Sequence, residues 1–206
     1  MVMVISMKIS SWHCMQPFSV LISQLVRPFS YLSIRHEYKW IMDWVFPGLL
    51  AVITAILLFI FRHSINIYGG SGIISRILGF VQNLPGFYIA ALAAIATFGR
   101  TDIDNMIPKP TPTIVEVRAG EKNEIPLTRR RFLCMMFAFL TAESVVVILA
   151  SIAALSIAGD YAGKASESFK LFSGGAFVLY VFFFYQMLIA TFWGLFYLGD
   201  RIHQVD

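Results

Sequence analysis

Charge is scarce in this sequence. Asp, Glu, Lys and Arg make up 14% of its 206 residues and hydrophobic residues 58%, where a soluble domain carries about 25% charged and 45 to 50% apolar. A water-soluble core cannot absorb that much apolar surface, which points away from an enzyme that works in water. Cysteine is nearly missing: Cys14 and Cys134 have neither the spacing of a metal pair nor the number needed for a disulfide framework. Histidines 13, 36, 63 and 203 are dispersed, and no His-Glu-x-x-His or paired-carboxylate arrangement occurs. Gly69, Gly70 and Gly72 have no lysine after them to complete a phosphate loop. No catalytic, cofactor-binding or metal-binding residue is therefore expected. The amino-terminal stretch lacks both the clean apolar centre and the small-residue cleavage site of a signal peptide.

The apolar residues arrive in four long blocks. Each is long enough to cross a hydrocarbon core, which takes roughly 20 residues of helix. They predict spans at 44–61, 77–98, 132–158 and 171–198. The expected fold is an all-α membrane protein: a four-helix transmembrane bundle over residues 40–206 with a small hairpin-like cytosolic loop at 99–131. Trp40 and Trp44 stand as interfacial anchors at the first span, and Asp43 and Arg62 bracket it. The second span carries Gln82, Asn83 and a Pro85-Gly86 pair, a helix break that a bundle tolerates.

Residues 1–39 form a separate segment. Leu21, Ile22, Leu25, Val26, Phe29 and Leu32 recur at near-helical spacing and suggest an amphipathic helix in the membrane interface, kinked at Pro28. The alternative is a loosely ordered leader, with Met7 or Met15 as the true start.

Lysine and arginine fix the expected orientation. Four precede the first span, two lie in the first connection, seven in the second, two in the third and one after the last span. One side therefore holds twelve and the other four. The positive-inside rule places both termini and the 99–131 loop in the cytoplasm of a multi-pass inner-membrane protein. The net charge of +4 is accounted for by these flanks, and no direct nucleic-acid binding is expected.

Glu143 is the one ionisable residue deep within a predicted span, and a carboxylate there must face protein or a water-filled cavity. It lies eleven residues past Phe132, about 16 Å in at about 1.5 Å per residue. The same measure places Thr54, Tyr88 and Gln186 at similar depth, so the four define a buried polar layer in which Glu143 is expected to hydrogen-bond one of the others. Gly86, Ala90 and Ala94, together with Ala138, Ala142, Ala150 and Ala154, form small-residue faces for close helix packing, within one protomer or between protomers.

The 99–131 loop begins acidic, passes three prolines, and then reads as strand, turn and strand. Residues 113–118 are rich in β-branched side chains, 119–123 carry turn chemistry, and 124–127 can return as a partner strand. An isolated hairpin needs support. Thr113, Val115, Val117, Arg118, Glu121 and Lys122 are the expected docking residues for a soluble partner recruited by strand addition, the alternative being a loop packed on its own oligomer. Thr128 is a candidate N-cap for the third span, and Arg129, Arg130 and Arg131 are expected to contact lipid headgroups.

Three stretches carry a resemblance: Leu84-Pro-Gly-Phe-Tyr-Ile-Ala-Ala-Leu, Leu127-Thr-Arg-Arg-Arg-Phe-Leu-Cys and Trp193-Gly-Leu-Phe-Tyr-Leu-Gly-Asp-Arg-Ile. With the size, the four spans and the loop between the second and third, the chain resembles the KwaA family, the membrane subunits of the two-gene bacterial anti-phage system Kiwa. The resemblance implies an inner-membrane sensor that forms a homo-oligomer, for which a tetramer is the guess. It also implies that the cytoplasmic face recruits a soluble DNA-binding effector resembling KwaB. It transfers no functional residue. The competing expectations are an oligomeric pore with Glu143 in its polar layer, and a small transporter, which the lack of internal repeats disfavours.

Overall fold

The computed structural model describes residues 15–61, 66–68, 71–97, 99, 101–107, 109–118, 121–161 and 167–201. Four helical stretches are long and apolar enough to cross a membrane: Ile41–Ile60, Ile73–Thr97, Arg129–Ile157 and Phe172–Gly199. Each coincides with one of the predicted spans to within a few residues. Predictions that rest on Cys14, His13, His63 and His203 fall outside the described residues.

The first described helix, α1 (Met15–Val26), leads into a 3₁₀ segment, Arg27–Ser33. Pro28 sits in the first turn of that segment, where its missing N–H costs nothing, so it opens a new element instead of kinking an old one. A π-helical turn, Ile41–Val45, opens the first span and continues as α2 (Phe46–Ile60). The second span is two helices, α3 (Ile73–Val81) and α4 (Leu84–Thr97), separated by a turn at Gln82 and Asn83. Pro85 is the second residue of α4, which explains why the interruption falls just before it.

Strands β1 (Thr113–Arg118) and β2 (Glu121–Pro126) pair antiparallel from Thr113 opposite Pro126 to Arg118 opposite Glu121. The long helices α5 (Arg129–Tyr161) and α6 (Glu167–Phe196) follow, and α6 ends in a π-helical turn at Tyr197–Arg201. The Thr128 hydroxyl accepts from the Arg131 backbone N–H at 3.3 Å, the expected N-cap bond.

Helix α5 is the hub: α3, α4, α6 and the 27–33 segment all pack on it, while α2 packs on α6. At 33 residues it extends about 50 Å, well beyond a hydrocarbon core of about 30 Å. The main core gathers Tyr31, Val81, Tyr88, Ile95, Phe132, Met136, Phe137, Leu140 and Met187. A smaller cluster of Ala51, Ile74, Phe177 and Val181 lies at the opposite end. Gly194 of α6 permits the closest approach, since a Cβ there would overlap the buried Met136 side chain.

The amino-terminal segment divides in two. Leu21, Ile22, Leu25 and Val26 of α1 are exposed, but Tyr31 is fully buried, its ring stacked 5.1 Å from Phe139 while Phe29 meets Phe139 edge-on. Residues 27–39 therefore pack as part of the bundle, and no packing break marks the boundary at 39. The small-residue face of α4 is not used for packing within the protomer. Gly86, Ala90 and Ala94 point away from the protomer, and α4 packs instead through Tyr88, Ala91 and Ile95.

Candidate functional site

The hairpin is tethered at its base. Arg35 N–H donates to the Thr113 carbonyl at 2.9 Å and Thr113 N–H to the Arg35 carbonyl at 3.0 Å, so the amino-terminal segment adds a short third edge to β1. The Arg35 guanidinium reaches Glu124 at 3.0 Å, an exposed pair that contributes little on its own. Leu127 N–H donates to the Pro112 carbonyl at 3.0 Å, and Ile114 and Leu127 are buried in the main core. This is the support that a lone hairpin lacks. Of the expected docking residues, Thr113 and Val115 are half-buried, Val117 and Arg118 lie on β1 opposite Lys122 and Glu121, and Glu121 and Lys122 are exposed on β2.

The basic cluster is engaged by protein groups. Arg130 grips Asp104 with both arms, Nε to Oδ1 at 2.6 Å and Nη2 to Oδ2 at 3.0 Å, and its Nη1 donates to the carbonyls of Ile95 at 2.9 Å and Ala96 at 3.3 Å. It closes the C-terminal end of α4, where carbonyls lack helical partners. Arg129 is buried and its backbone N–H bonds the Asn105 carbonyl, so it too faces protein. Arg131 is half-buried.

The polar layer is likewise rearranged. Thr54 bonds the Tyr185 hydroxyl at 2.9 Å, and Tyr88 bonds Thr191 at 2.6 Å. Gln186 is buried, and Glu143 is buried with neither carboxyl oxygen hydrogen-bonded among the described residues. The expected bond from Glu143 to Gln186, Tyr88 or Thr54 does not form. Instead, Glu143 lies within electrostatic reach of Asp43, Tyr31 and Tyr88.

Asp43 is the residue that the sequence placed wrongly. Expected as a boundary charge, it is 2% exposed, bonded to Lys39 Nζ at 2.6 Å and accepting from the Tyr31 hydroxyl at 3.3 Å. Lys39 is also buried and sits 4.3 Å from the centre of the Tyr31 ring, a cation–π contact. The Tyr31 hydroxyl is pushed well above its ordinary pKa, first by burial and then by the neighbouring Asp43 charge. The sequence signal was the spacing of Lys39 and Asp43, one helical turn apart on one face. Tyr31 had no such signal.

Beside this cluster opens a cleft of about 580 Å³ between the amino-terminal segment, the start of the first span and the chain before β1. His36 lines it, its Nδ1 accepting from the Tyr38 N–H at 3.2 Å and its ring edge-on to Trp193. Partial burial lowers the imidazole pKa, against an opposing pull from the Pro110 carbonyl. A second cavity of about 390 Å³ at the other end is lined almost wholly by apolar groups of α2 and α6 around Tyr68 and Ser173. Among the described residues no three His, Cys, Asp or Glu side chains gather as metal ligands.

No family model, no curated protein and no solved structure matches the chain. Fold and site define a class by their own features: four helices of membrane-crossing length, one end of the bundle bearing a tethered hairpin over a buried charged cluster.

Proposed function

We propose that this chain is an inner-membrane sensor or scaffold that oligomerises and recruits a soluble cytosolic effector through its hairpin end, in anti-phage defence, as its resemblance to the KwaA family implies. The observation that carries the recruitment is the hairpin itself. Its base is pinned to the bundle through Arg35, Ile114 and Leu127, while Glu121, Lys122, Asn123 and Glu124 of β2 stand exposed. A strand held rigidly but left open along its outer row suits a binding platform better than a packed loop does. The outward small-residue face of α4 (Gly86, Ala90, Ala94) supports oligomerisation by close helix approach.

The test is a pull-down of soluble protein from solubilised membranes. Replacing all of 113–127 would remove the core residues Ile114 and Leu127, so the informative variant is Glu121→Lys with Lys122→Glu. Loss of a co-purifying DNA-binding protein in that variant supports recruitment, and equal capture by both chains, or capture by neither, counts against it.

The buried Glu143 carboxyl, without a hydrogen bond among the described residues, favours a second class of function, an oligomeric conduction path. It predicts ion leakage on overexpression that Glu143→Leu abolishes.

A further inference from the structure

The cleft beside the buried cluster has a mixed character that a simple anion site would lack. Its walls include the cations Arg35 and Lys39, the carboxylates Glu37 and Asp43, and the indoles of Trp40 and Trp44. Lys39 and Asp43 form the buried part of the wall and satisfy each other at 2.6 Å. The charged groups left to meet a ligand are therefore Arg35 and Glu37, one of each sign, both exposed, with the half-buried His36 imidazole also in the lining. Among the described residues the Arg35 side chain is held by an exposed pair with Glu124, which exchanges readily for a better-placed anion. Trp40 and Trp44 are 61% and 56% exposed immediately at the start of the first span, the level at which indoles sit between acyl chains and headgroups.

The geometry points to a site for the headgroup of an amino-phospholipid, a phosphodiester bearing a primary ammonium. Arg35 takes the phosphate, Glu37 accepts hydrogen bonds from the ammonium, and the two indoles cover the glycerol region. A guanidinium binds a phosphate through parallel hydrogen bonds. A primary ammonium offers three donors to a carboxylate, whereas a trimethylammonium offers none. A phosphatidylglycerol headgroup gives Arg35 the same phosphate but offers Glu37 only neutral hydroxyls and no cation. The cleft's volume lies within the usual range for small-ligand sites. This inference rests on membrane insertion with residues 35–44 at the headgroup level, and not on the recruitment of any partner.

The test uses the full chain purified in detergent and delipidated. It is then offered phosphatidylethanolamine, phosphatidylcholine and phosphatidylglycerol of identical acyl chains, and retained lipid is read by native mass spectrometry. Wild type is expected to retain phosphatidylethanolamine on the order of tenfold over the other two, the worth of one charge-assisted hydrogen bond. Glu37→Gln is expected to abolish that preference, and Arg35→Gln to weaken retention of all three alike. Arg76→Gln, exposed on α3 and away from the cleft, is expected to leave retention of all three lipids unchanged. Equal retention of the three lipids by wild type overturns the proposal, as does preference for phosphatidylglycerol or phosphatidylcholine. A preference that survives Glu37→Gln overturns it too. Free phosphoethanolamine binding as tightly as the lipid would show a soluble-ligand site instead. Co-purification of an effector is scored separately, so failure of either idea leaves the other legible.

Discussion

The Lys39 ammonium lies 2.6 Å from the Asp43 carboxylate, one turn further along the same chain, with both side chains almost wholly withdrawn from solvent. Removing one partner strands the other as an unpaired buried charge, a loss of about 3 to 5 kcal/mol. Lys39→Met and Asp43→Leu are each expected to lower the thermal midpoint in detergent strongly. The double variant should recover most of the loss. Two single variants that add without recovery would show that the pair is not the unit of stability.

Glu143 has the opposite expectation. Its carboxyl is buried without a hydrogen bond among the described residues, so its desolvation is uncompensated. Glu143→Leu should hold or raise the unfolding midpoint. A drop of about 2 kcal/mol or more, read from denaturant unfolding in mixed micelles, would mean that a partner is gained elsewhere, as at an oligomer interface.

Arg130 holds Asp104 below its ordinary carboxylate pKa, chiefly through their hydrogen bonds. A lowered folded pKa contributes stability that is present above the ordinary carboxylate range and lost as pH falls through the folded value. Wild type should therefore lose more stability than Asp104→Asn between about pH 5 and pH 3, checked by thermal scans across that window.

His36 carries a lowered pKa, mainly from burial. The folded chain prefers neutral imidazole, so stability is full above about pH 6.5 and falls as pH drops through the folded value. His36→Gln should flatten the profile between pH 7.5 and pH 5.5, where Asp104 is not yet titrating.

Gly194 faces Met136 with no room for a Cβ, while Gly174 and Gly175 have open space around theirs. Gly194→Val is expected to destabilise the bundle by about 1 to 3 kcal/mol through overpacking. Gly174→Ala, in open space inside the same helix, should instead stabilise by about 0.5 to 1 kcal/mol.

The spans were legible in the sequence because hydrophobic runs and their flanking charges are local signals, and so were β1 and the Thr128 cap; β2 was legible as a returning strand but begins at Glu121, inside the expected turn, because Glu121, Lys122 and Asn123 pair with β1. The rest depended on pairings distant in sequence. Nothing near Tyr31 announces Phe139, and nothing near Arg130 announces the carbonyls of Ile95 and Ala96. The apolar repeat through Phe29 and Leu32 marks a helical segment but omits Tyr31, the residue that packs against Phe139 of α5. Asp43 was taken for a boundary marker because a charge beside a tryptophan at the end of an apolar run usually is one. Lys39, one helical turn earlier, neutralises it, a pairing that a count of flanking charges does not resolve.

Lys39 and Asp43 lie within five residues of each other, whereas Glu143 follows a hundred residues later. The acid of the first stretch is thus matched within a single helical turn, a pairing that needs no other part of the fold. The carboxyl of α5 has no cation one turn away on its own helix, so a group that satisfies it must come from elsewhere in the sequence, and among the described residues none does.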